Sequence, residues 1–296
     1  MATIRIRKFG KEKYYYLEHR YKLNGKVKSI SKYLGKKKPK NIEKLEEEIT
    51  WATMRKIWNF QLAAISKNYN YKIGKIPKSE LDKILDEFII NFIYNSSKIE
   101  GSRLSYKDTV GLFVHGATPR NKPLKDVQES EGYRKAFLSM MKHKSNITLD
   151  KIREWHAMIF KASELDIAGK IRLHQIIVTG SNVSFPHPED LNRLLREFIF
   201  WYNKNENKLN PVEFAALAHL KFVTIHPFSD GNGRISRLLA NFALHKAKHP
   251  MFNIKFGDRL AYYNSLKESQ LWNNDKKFVR FFIKKYINQY KKFLKH

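Results

Sequence analysis

The chain has 296 residues, enough to bury a sizeable core, and 57 Lys and Arg residues against 28 Asp and Glu give it a formal net charge of +29. The absence of cysteine excludes disulfides and thiolate metal sites, and no uninterrupted apolar run approaches the ~18 residues of a membrane span. The N-terminus also lacks the apolar core of a signal peptide, so we expect a cytoplasmic protein without a membrane segment.

Residues 1–38 are predicted to form a small, strongly basic antiparallel sheet. Segments 2–8, 13–19 and 26–34 are rich in β-branched and aromatic residues, and Asn24-Gly25 between the last two is a strong hairpin signal. Basic strands with consecutive tyrosines fit nucleic acid, through phosphate contacts and base stacking. They fit equally well a charged face over a small tyrosine-lined core. The overall charge likewise has two explanations, a polyanionic partner or the lysine enrichment of some thermophile proteomes.

A series of helices follows and makes the chain mainly α. Apolar residues at helical spacing predict helices at 41–68, 79–99, 106–116, 125–143, 149–161, 188–203, 210–225, 233–247, 257–270 and 276–293. The second helix ends within Ser96-Ser-Lys-Ile-Glu-Gly101, where the glycine is a typical helix stop. Taken alone, Glu100 is most simply a solvated carboxylate.

Between the helices at 149–161 and 188–203 the pattern changes to that of a β-hairpin. β-branched residues precede Gly180, Ser181 and Asn182, which are turn residues, and Val183 follows them. Segment 175–188 is therefore predicted to be a hairpin, either an ordinary surface hairpin or a functional flap.

Residues 226–237, His-Pro-Phe-Ser-Asp-Gly-Asn-Gly-Arg-Ile-Ser-Arg, form the most informative stretch of the chain. A buried helix face begins at Ile235, so Gly231, Asn232 and Gly233 lie where a loop becomes a helix. The first amides of a helix have no internal partners, and the helix dipole adds positive charge there. This turn is therefore predicted to be a cradle for a phosphate.

The side chains around that turn add chemistry to the cradle. Arg234 and Arg237 are three residues apart on the first helical turn, and two forked cations suit a polyphosphate. Asp230 can hold Mg²⁺ against phosphate oxygens, and His226, with an ordinary pKa of ~6.5, can accept a proton from a hydroxyl. Each feature alone is more often structural, but their fixed order predicts nucleotidyl or phosphoryl transfer to an alcohol.

Residues 226–237 are similar to the signature of the Fic family, His-Pro-Phe-x-(Asp/Glu)-Gly-Asn-(Gly/Lys)-Arg-x-x-Arg, at every constrained position. Residues 149–172, 211–219, 262–263 and 276–284 also resemble parts of the Fic core. The resemblance implies a mainly α Fic (Fido) core with a β-hairpin flap. It divides the chain into a basic β module at 1–38, a helical region ending in an inhibitory helix at 40–105, flanking helices at 106–147, a catalytic core at 148–285 and a basic tail at 286–296.

Fic proteins typically move AMP from ATP to a Ser, Thr or Tyr hydroxyl of a target protein. The resemblance therefore implies ATP and Mg²⁺ as cofactors, with His226 as general base and Asp230 as the metal ligand. The turn at 231–233 would form the anion hole around the phosphates. Arg234 would contact the phosphates, and Arg237 would reach the γ-phosphate.

The resemblance also implies a restraint on this activity. Ser96, Glu100 and Gly101 fit the family's inhibitory pattern (Ser/Thr)-x-x-x-Glu-(Gly/Asn), in the subclass whose inhibitor is N-terminal and intramolecular. Glu100 would then occupy Arg237 and keep ATP from its productive position. In the family the flap holds the target by strand addition, and residues 180–183 would edge the nucleotide. Tyr263 and Gln270 would lie toward adenine, although the family often has Asn where Gln270 stands.

Several functions stay open at this stage. Within the family, the alternatives are removal of AMP from a modified target and transfer of another nucleotide or phosphate-containing group. From another class, the chain would be a nucleic-acid-binding regulator whose Fic core is secondary. Homodimers are common in the family, so a second copy of the chain is a further candidate partner and also a candidate target.

Overall fold

The structure is a computed structural model that describes residues 2–23, 26–176 and 183–294. These residues contain three strands and ten α-helices, which confirms the mainly α fold with a small antiparallel sheet. Two compact units divide the chain, residues 1–65 and 66–296. The elements are β1 Ala2–Phe9, β2 Glu12–Leu23, β3 Lys26–Gly35, α1 Ile42–Ile73, α2 Lys78–Ile99, α3 Tyr106–His115, α4 Leu124–Lys142, α5 Leu149–Phe160, α6 Pro188–Asn205, α7 Pro211–Ile225, α8 Asn232–Lys246, α9 Arg259–Leu271 and α10 Lys276–Gln289.

The first unit is a three-stranded antiparallel sheet, in the order β1-β2-β3, with the beginning of α1. Ala2 and Leu17 form a buried cluster with Ile49 of α1, and Leu45 packs against it. The unit therefore extends beyond the predicted boundary at residue 38, because an isolated small sheet cannot bury one of its faces. The predicted turn residues 24 and 25 lie outside the described residues, and the strands on either side pair up to Leu23 and Lys26.

The second unit contains α2 to α10 and is organised around α7 and α8. Nearly every residue of α7 is buried, and α8 buries the predicted apolar face of Ile235, Leu238, Leu239 and Phe242 completely. Because α7 ends at residue 225 and α8 begins at 232, the loop between them is held at both ends by fully packed helices. This packing gives the motif loop a fixed position.

The segment predicted as a basic tail, residues 286–296, is packed over its described part, to residue 294. Tyr286 is buried and donates its hydroxyl to the carbonyl oxygen of Pro250 at 3.1 Å. Tyr290 and Phe293 lie against Tyr69 of α1, with ring centroids 5.9 and 5.4 Å apart. The many lysines of this segment obscure an apolar stripe at helical spacing. Within the described ranges, no helix combines the length and apolarity needed to cross a membrane.

Candidate active site

The loop between α7 and α8 contains two residues with left-handed backbone conformations. His226 ends α7 with φ 52°, and Gly231 precedes α8 with φ 79°. A side chain on Gly231 would also collide with the ring of Phe160, only 2.4 Å from the position of a Cβ atom. The first amides of a helix have no intrahelical partners, and the anion cradle at this turn stays a prediction.

The imidazole of His226 is held in one tautomer. Its Nδ1 lies 3.0 Å from the carbonyl oxygen of Val223. Because a carbonyl can only accept, Nδ1 carries the proton and Nε2 keeps a free lone pair. Burial lowers the pKa of His226 below its ordinary value, although the Val223 carbonyl and nearby carboxylates oppose this shift. The ring is thus a neutral base at neutral pH, packed against Phe185 with centroids 4.2 Å apart.

Asp230 and Arg234 form a charged chain with Glu129 of α4. One end of the Arg234 guanidinium pairs with Glu129, and the other donates to Asp230 Oδ2 at 3.2 Å. Arg234 is buried and lies over the ring of Phe160 at 4.5 Å. The Asp230 side chain is 47% exposed. Arg234 therefore fixes the orientation of a carboxylate that remains open to solvent.

His156 of α5 packs against the motif loop and donates a hydrogen bond to it. Its Nδ1 accepts the Gly169 amide at 2.9 Å, so its Nε2 carries the proton and donates to the carbonyl oxygen of Asp230 at 3.0 Å. Burial lowers the pKa of His156 to about 4, so the ring stays neutral. It stacks on Phe228 with centroids 3.8 Å apart. His156 is thus a packing and positioning group for the loop.

Arg237 is bound to the end of α2 by three hydrogen bonds. Its Nε donates to Ser96 Oγ at 2.7 Å, and Nη2 donates to the Ser96 carbonyl at 3.0 Å and to Glu100 Oε1 at 2.6 Å. Nη1 donates to the hydroxyl of Tyr262 at 3.1 Å. Arg237 is only 2% exposed. The structure therefore brings the predicted residues Ser96, Glu100 and Arg237 together.

Glu100 is the residue that ends α2. It is the C-cap, and Gly101 follows with φ 100°, so the helix stops where the sequence predicted. A carboxylate at a helix C-terminus is opposed by the helix dipole, and Arg237 compensates for this. A Cβ atom on Gly233 would lie 2.2 Å from Glu100 Oε1, so Glu100 reaches the first turn of α8 only because residue 233 is glycine. The carboxylate therefore occupies the mouth of the predicted anion cradle.

Two chains of hydroxyl groups hold Arg237 in place. Tyr133 donates its hydroxyl to the Arg234 carbonyl at 2.8 Å, so the Ser96 hydroxyl, which accepts from Arg237, donates to the Tyr133 oxygen at 3.0 Å. On the other side Tyr262 donates to His219 Nε2 at 3.1 Å. Burial lowers the pKa of His219 well below its ordinary value, so it remains an acceptor. Arg237 is fixed independently of Glu100.

The side chain of Asn232 closes the motif loop. Its Oδ1 accepts the Phe228 amide at 2.9 Å, and its Nδ2 donates to the Phe228 carbonyl at 2.7 Å. The side chain is buried and fully used in closing the loop. Only its backbone amide remains for an anion.

Arg172 connects this loop to the segment predicted as a flap. Its guanidinium donates to three carbonyl oxygens, those of His226, His174 and Pro186, at 2.8, 2.8 and 2.6 Å. Gln175 Nε2 donates to the Phe185 carbonyl at 2.9 Å, which joins the two arms of the segment. Gly180, Ser181 and Asn182 lie outside the described residues, and Val183 is not part of a strand. The hairpin and its nucleotide contacts therefore remain predictions.

A cavity of about 410 Å³ lies beside the motif. Its wall includes the carboxylates of Glu100, Glu129 and Asp230 and the cations of Lys125 and Arg234. Gln270 borders a different cleft of about 310 Å³ and donates to Thr224 Oγ1 at 3.2 Å. Tyr263 donates its hydroxyl to the Ile99 carbonyl at 3.1 Å and so caps α2. Neither of the two residues predicted toward adenine borders the cavity beside the motif.

Within residues 226–237, the carboxylate that could hold a metal ion is that of Asp230. In the described part of the chain no group of three His, Cys, Asp or Glu residues could hold a metal ion. One oxygen of Asp230 accepts the Gly231 amide at 2.5 Å, and its exposed face is open to the cavity. Mg²⁺ takes most of its ligands from phosphates and water and needs only one or two protein carboxylates. Asp230 fits such an ion.

Sequence reasoning missed the residues that support the site from outside the motif. These residues are Glu129, Tyr133, Arg172 and His219. They are distant from the motif in the sequence, or they lie on helices whose apolar pattern indicates only packing. For His219 a signal was available, since a polar residue on the strongly apolar helix α7 indicates an internal hydrogen-bond network.

Comparison with known proteins identifies the fold. Residues 146–244 match the model of the Fic/DOC family. The chain is 32% identical over 220 residues to protein adenylyltransferase Fic of Nematostella vectensis, which covers 73% of this chain and 50% of that protein. Across the curated relatives the chain spans between 40% and 50% of their length.

Two solved structures show the same architecture. A Fic-domain-containing signaling protein from Bacteroides thetaiotaomicron superposes with a TM-score of 0.70 at 29% identity, covering 78% of this chain and 96% of that one. Fic-1 from Caenorhabditis elegans superposes with a TM-score of 0.73 at 26% identity, covering 86% and 78%. The motif loop, the two helices that hold it and these relationships lead to one conclusion: the chain contains a domain of the Fic/DOC family at residues 146–244.

Proposed function

We propose that this chain transfers AMP from ATP to a hydroxyl side chain of a target protein, and that Glu100 restrains the transfer. The observation that carries the proposal is the 2.6 Å contact of Glu100 with Arg237 at the first turn of α8. It shows that this turn already accommodates an anion. Relatives named protein adenylyltransferase Fic, 30–36% identical, support the reaction type.

The triphosphate would lie along the start of α8. The amides of residues 232 and 233 would be the donors of the cradle, since the Gly231 amide already donates to Asp230, and a terminal phosphate would replace Glu100 on Arg237. Asp230 would hold Mg²⁺, whose charge would stabilise the phosphates when bound. Arg234 is paired with Glu129 and Asp230, so its part would be to orient that carboxylate.

The transfer needs a base beside the α-phosphate. The target hydroxyl oxygen forms a bond to the α-phosphorus, the bond between this phosphorus and the bridging oxygen breaks, and pyrophosphate leaves. The hydroxyl proton passes to Nε2 of His226, whose lone pair is free because Nδ1 is bound to Val223. The products are an AMP-modified side chain and pyrophosphate.

Glu100 restrains this reaction by occupying one hydrogen-bonding edge of Arg237. The other contacts of Arg237, to Ser96 and Tyr262, do not depend on Glu100. Removing the carboxylate therefore frees one N–H of Nη2 without releasing the guanidinium, since Nη2 also donates to the Ser96 carbonyl. With the terminal phosphate displaced, the α-phosphate is misaligned, and a displacement of ~1 Å costs on the order of 100-fold in rate.

A second candidate is removal of AMP from a modified protein. The Glu100 side chain is 25% exposed and borders the same cavity as Asp230, so a water molecule can reach its carboxylate. In that reaction Glu100 would orient the water that attacks the phosphorus. Glu100→Gly would then abolish removal while it increases transfer, which separates the two activities.

The test uses ATP labelled on the α- or γ-phosphate with the parent chain and Glu100→Gly. We expect Glu100→Gly to label the protein itself, or an added target, on the order of 100-fold faster, with the α-label only. Glu206→Gly is the matched control, because Glu206 is also a helix C-cap paired with a cation, Lys246 at 2.8 Å. Equal labelling by Glu100→Gly and the parent, or transfer of the γ-label, would contradict the proposal.

A further inference from the structure

The outer face of the N-terminal sheet is a second charged surface that adenylyl transfer does not use. Leu17 of β2 is fully buried against Ala2 and Ile49, so its neighbours Tyr16 and Glu18 point to the opposite side of the sheet. The register places Arg5 of β1 and Tyr33 of β3 opposite Tyr16. We call this side of the three strands the outer sheet face.

A row of four aromatic rings crosses this face from β1 to β3. Phe9 meets Tyr14 with ring centroids 5.6 Å apart, and Tyr33 lies 6.2 Å from Tyr14 and 5.3 Å from Tyr16. Phe9 and Tyr33 are 62% and 52% exposed. No core residue requires rings in these positions, because the buried cluster lies on the other face. Exposed aromatic rings in a continuous row are a surface for a planar partner.

Cationic side chains surround the four aromatic rings, so the net charge around the rings is not negative. Arg7 lies over the Tyr16 ring at 4.5 Å, and Lys36 lies 5.7 Å from the Tyr14 centroid. Glu18 is neutralised by Arg5 and Arg20, each at 2.9 Å. In residues 1–40 there are fourteen Lys and Arg residues and only two carboxylates. The charge of this face therefore suits a polyanion.

We propose that the outer sheet face binds single-stranded nucleic acid. Charge alone fits any polyanion, but exposed rings flanked by arginines select one that presents planar bases between its phosphates. Unpaired bases stack on Phe9 and Tyr33, while Arg7 and its neighbours contact phosphates. A duplex hides the faces of its bases and offers only phosphates to these cations. A lipid surface needs an apolar ridge, whereas three of the four rings carry hydroxyl groups.

The test is fluorescence anisotropy of the full chain with labelled single strands of about 12 nucleotides and with the matching duplex. We expect the single strand to bind at least tenfold more tightly than the duplex. For about four phosphate contacts, raising salt from about 50 to 200 mM lowers single-strand affinity about 50-fold. Equal affinity for both forms, or binding to anionic phospholipid vesicles without binding to oligonucleotides, overturns the proposal.

Substitutions on the outer sheet face separate stacking from charge. Phe9→Ser with Tyr33→Ser is expected to lower single-strand affinity about tenfold or more, and Arg7→Gln to reduce the salt dependence by about one phosphate contact. The control is Arg196→Gln with Phe200→Ser on α6, where Phe200 is an exposed ring with Lys204 at 5.2 Å. If the control loses as much affinity as the face variants, the assignment to this face is wrong.

Discussion

The motif loop and the outer sheet face use arginine in opposite ways. Arg234 and Arg237 are buried, and each is paired with a carboxylate from a distant helix. Arg5 and Arg20 of the sheet are exposed and share one carboxylate, and Arg7 rests on a tyrosine ring. A buried guanidinium with fixed partners admits one anion in one position, whereas exposed cations attract any phosphate chain. The two regions therefore suit a precise chemical step and a tolerant binding surface.

The largest expected effect is the loss of transfer when the proposed base of the motif loop is removed. The same change should not affect the outer sheet face. His226→Asn removes the free Nε2 lone pair, and asparagine tolerates the left-handed backbone at this position. In a Glu100→Gly background we expect α-label transfer to fall about 10²- to 10⁴-fold. Oligonucleotide binding by the same protein should stay unchanged. Transfer at the parental rate would remove His226 as the base.

The pH dependence of transfer tests whether burial in the motif loop lowers the pKa of His226. Burial lowers the pKa of His226 below its ordinary value of 6.5, so the neutral ring that accepts a proton persists to lower pH. We expect kcat/KM of Glu100→Gly to be constant through pH 6.5 and to fall about tenfold per pH unit only below the lowered pKa. An acid limb centred at or above 6.5 would show that the ring is not buried as described.

Changing the ionic strength should have the smallest effect on the restraint by Glu100. The same change should strongly weaken oligonucleotide binding, so it compares the two regions directly. The Glu100–Arg237 pair is buried at its arginine end and is screened little by salt. The rate ratio of Glu100→Gly to parent should change less than about twofold between about 50 and 200 mM salt. Oligonucleotide affinity should fall steeply over the same range. A ratio that collapses with salt would place the pair in solvent.

The sequence predicted the elements that rest on local signals. The helix face after residue 235, the glycine stop at 101 and the three strands follow from periodicity and turn residues, and the structure has them. The pairing of Glu100 with Arg237 was predicted from the family resemblance. The local sequence around either residue does not indicate it. Local patterns work because they report backbone preferences and one buried face.

The rest depends on contacts between distant parts of the chain. Glu129 reaches Arg234 across 105 positions, and nothing in the α4 sequence distinguishes it from a surface glutamate. The same holds for Arg172, which closes the loop through carbonyl groups that carry no sequence signal. The side chain of Asn232 shows the same dependence, because it bonds to the backbone of Phe228, a contact that the motif itself does not specify.

The most direct measurement of the central claim, that Glu100 holds the place of the terminal phosphate, is calorimetric titration of the parent and Glu100→Gly with ATP and with ADP, both with Mg²⁺. Only ATP carries the phosphate that replaces the carboxylate on Arg237. We expect Glu100→Gly to bind ATP about tenfold more tightly than the parent does, with little change for ADP. An equal gain for both nucleotides, or no gain for ATP, would contradict this account.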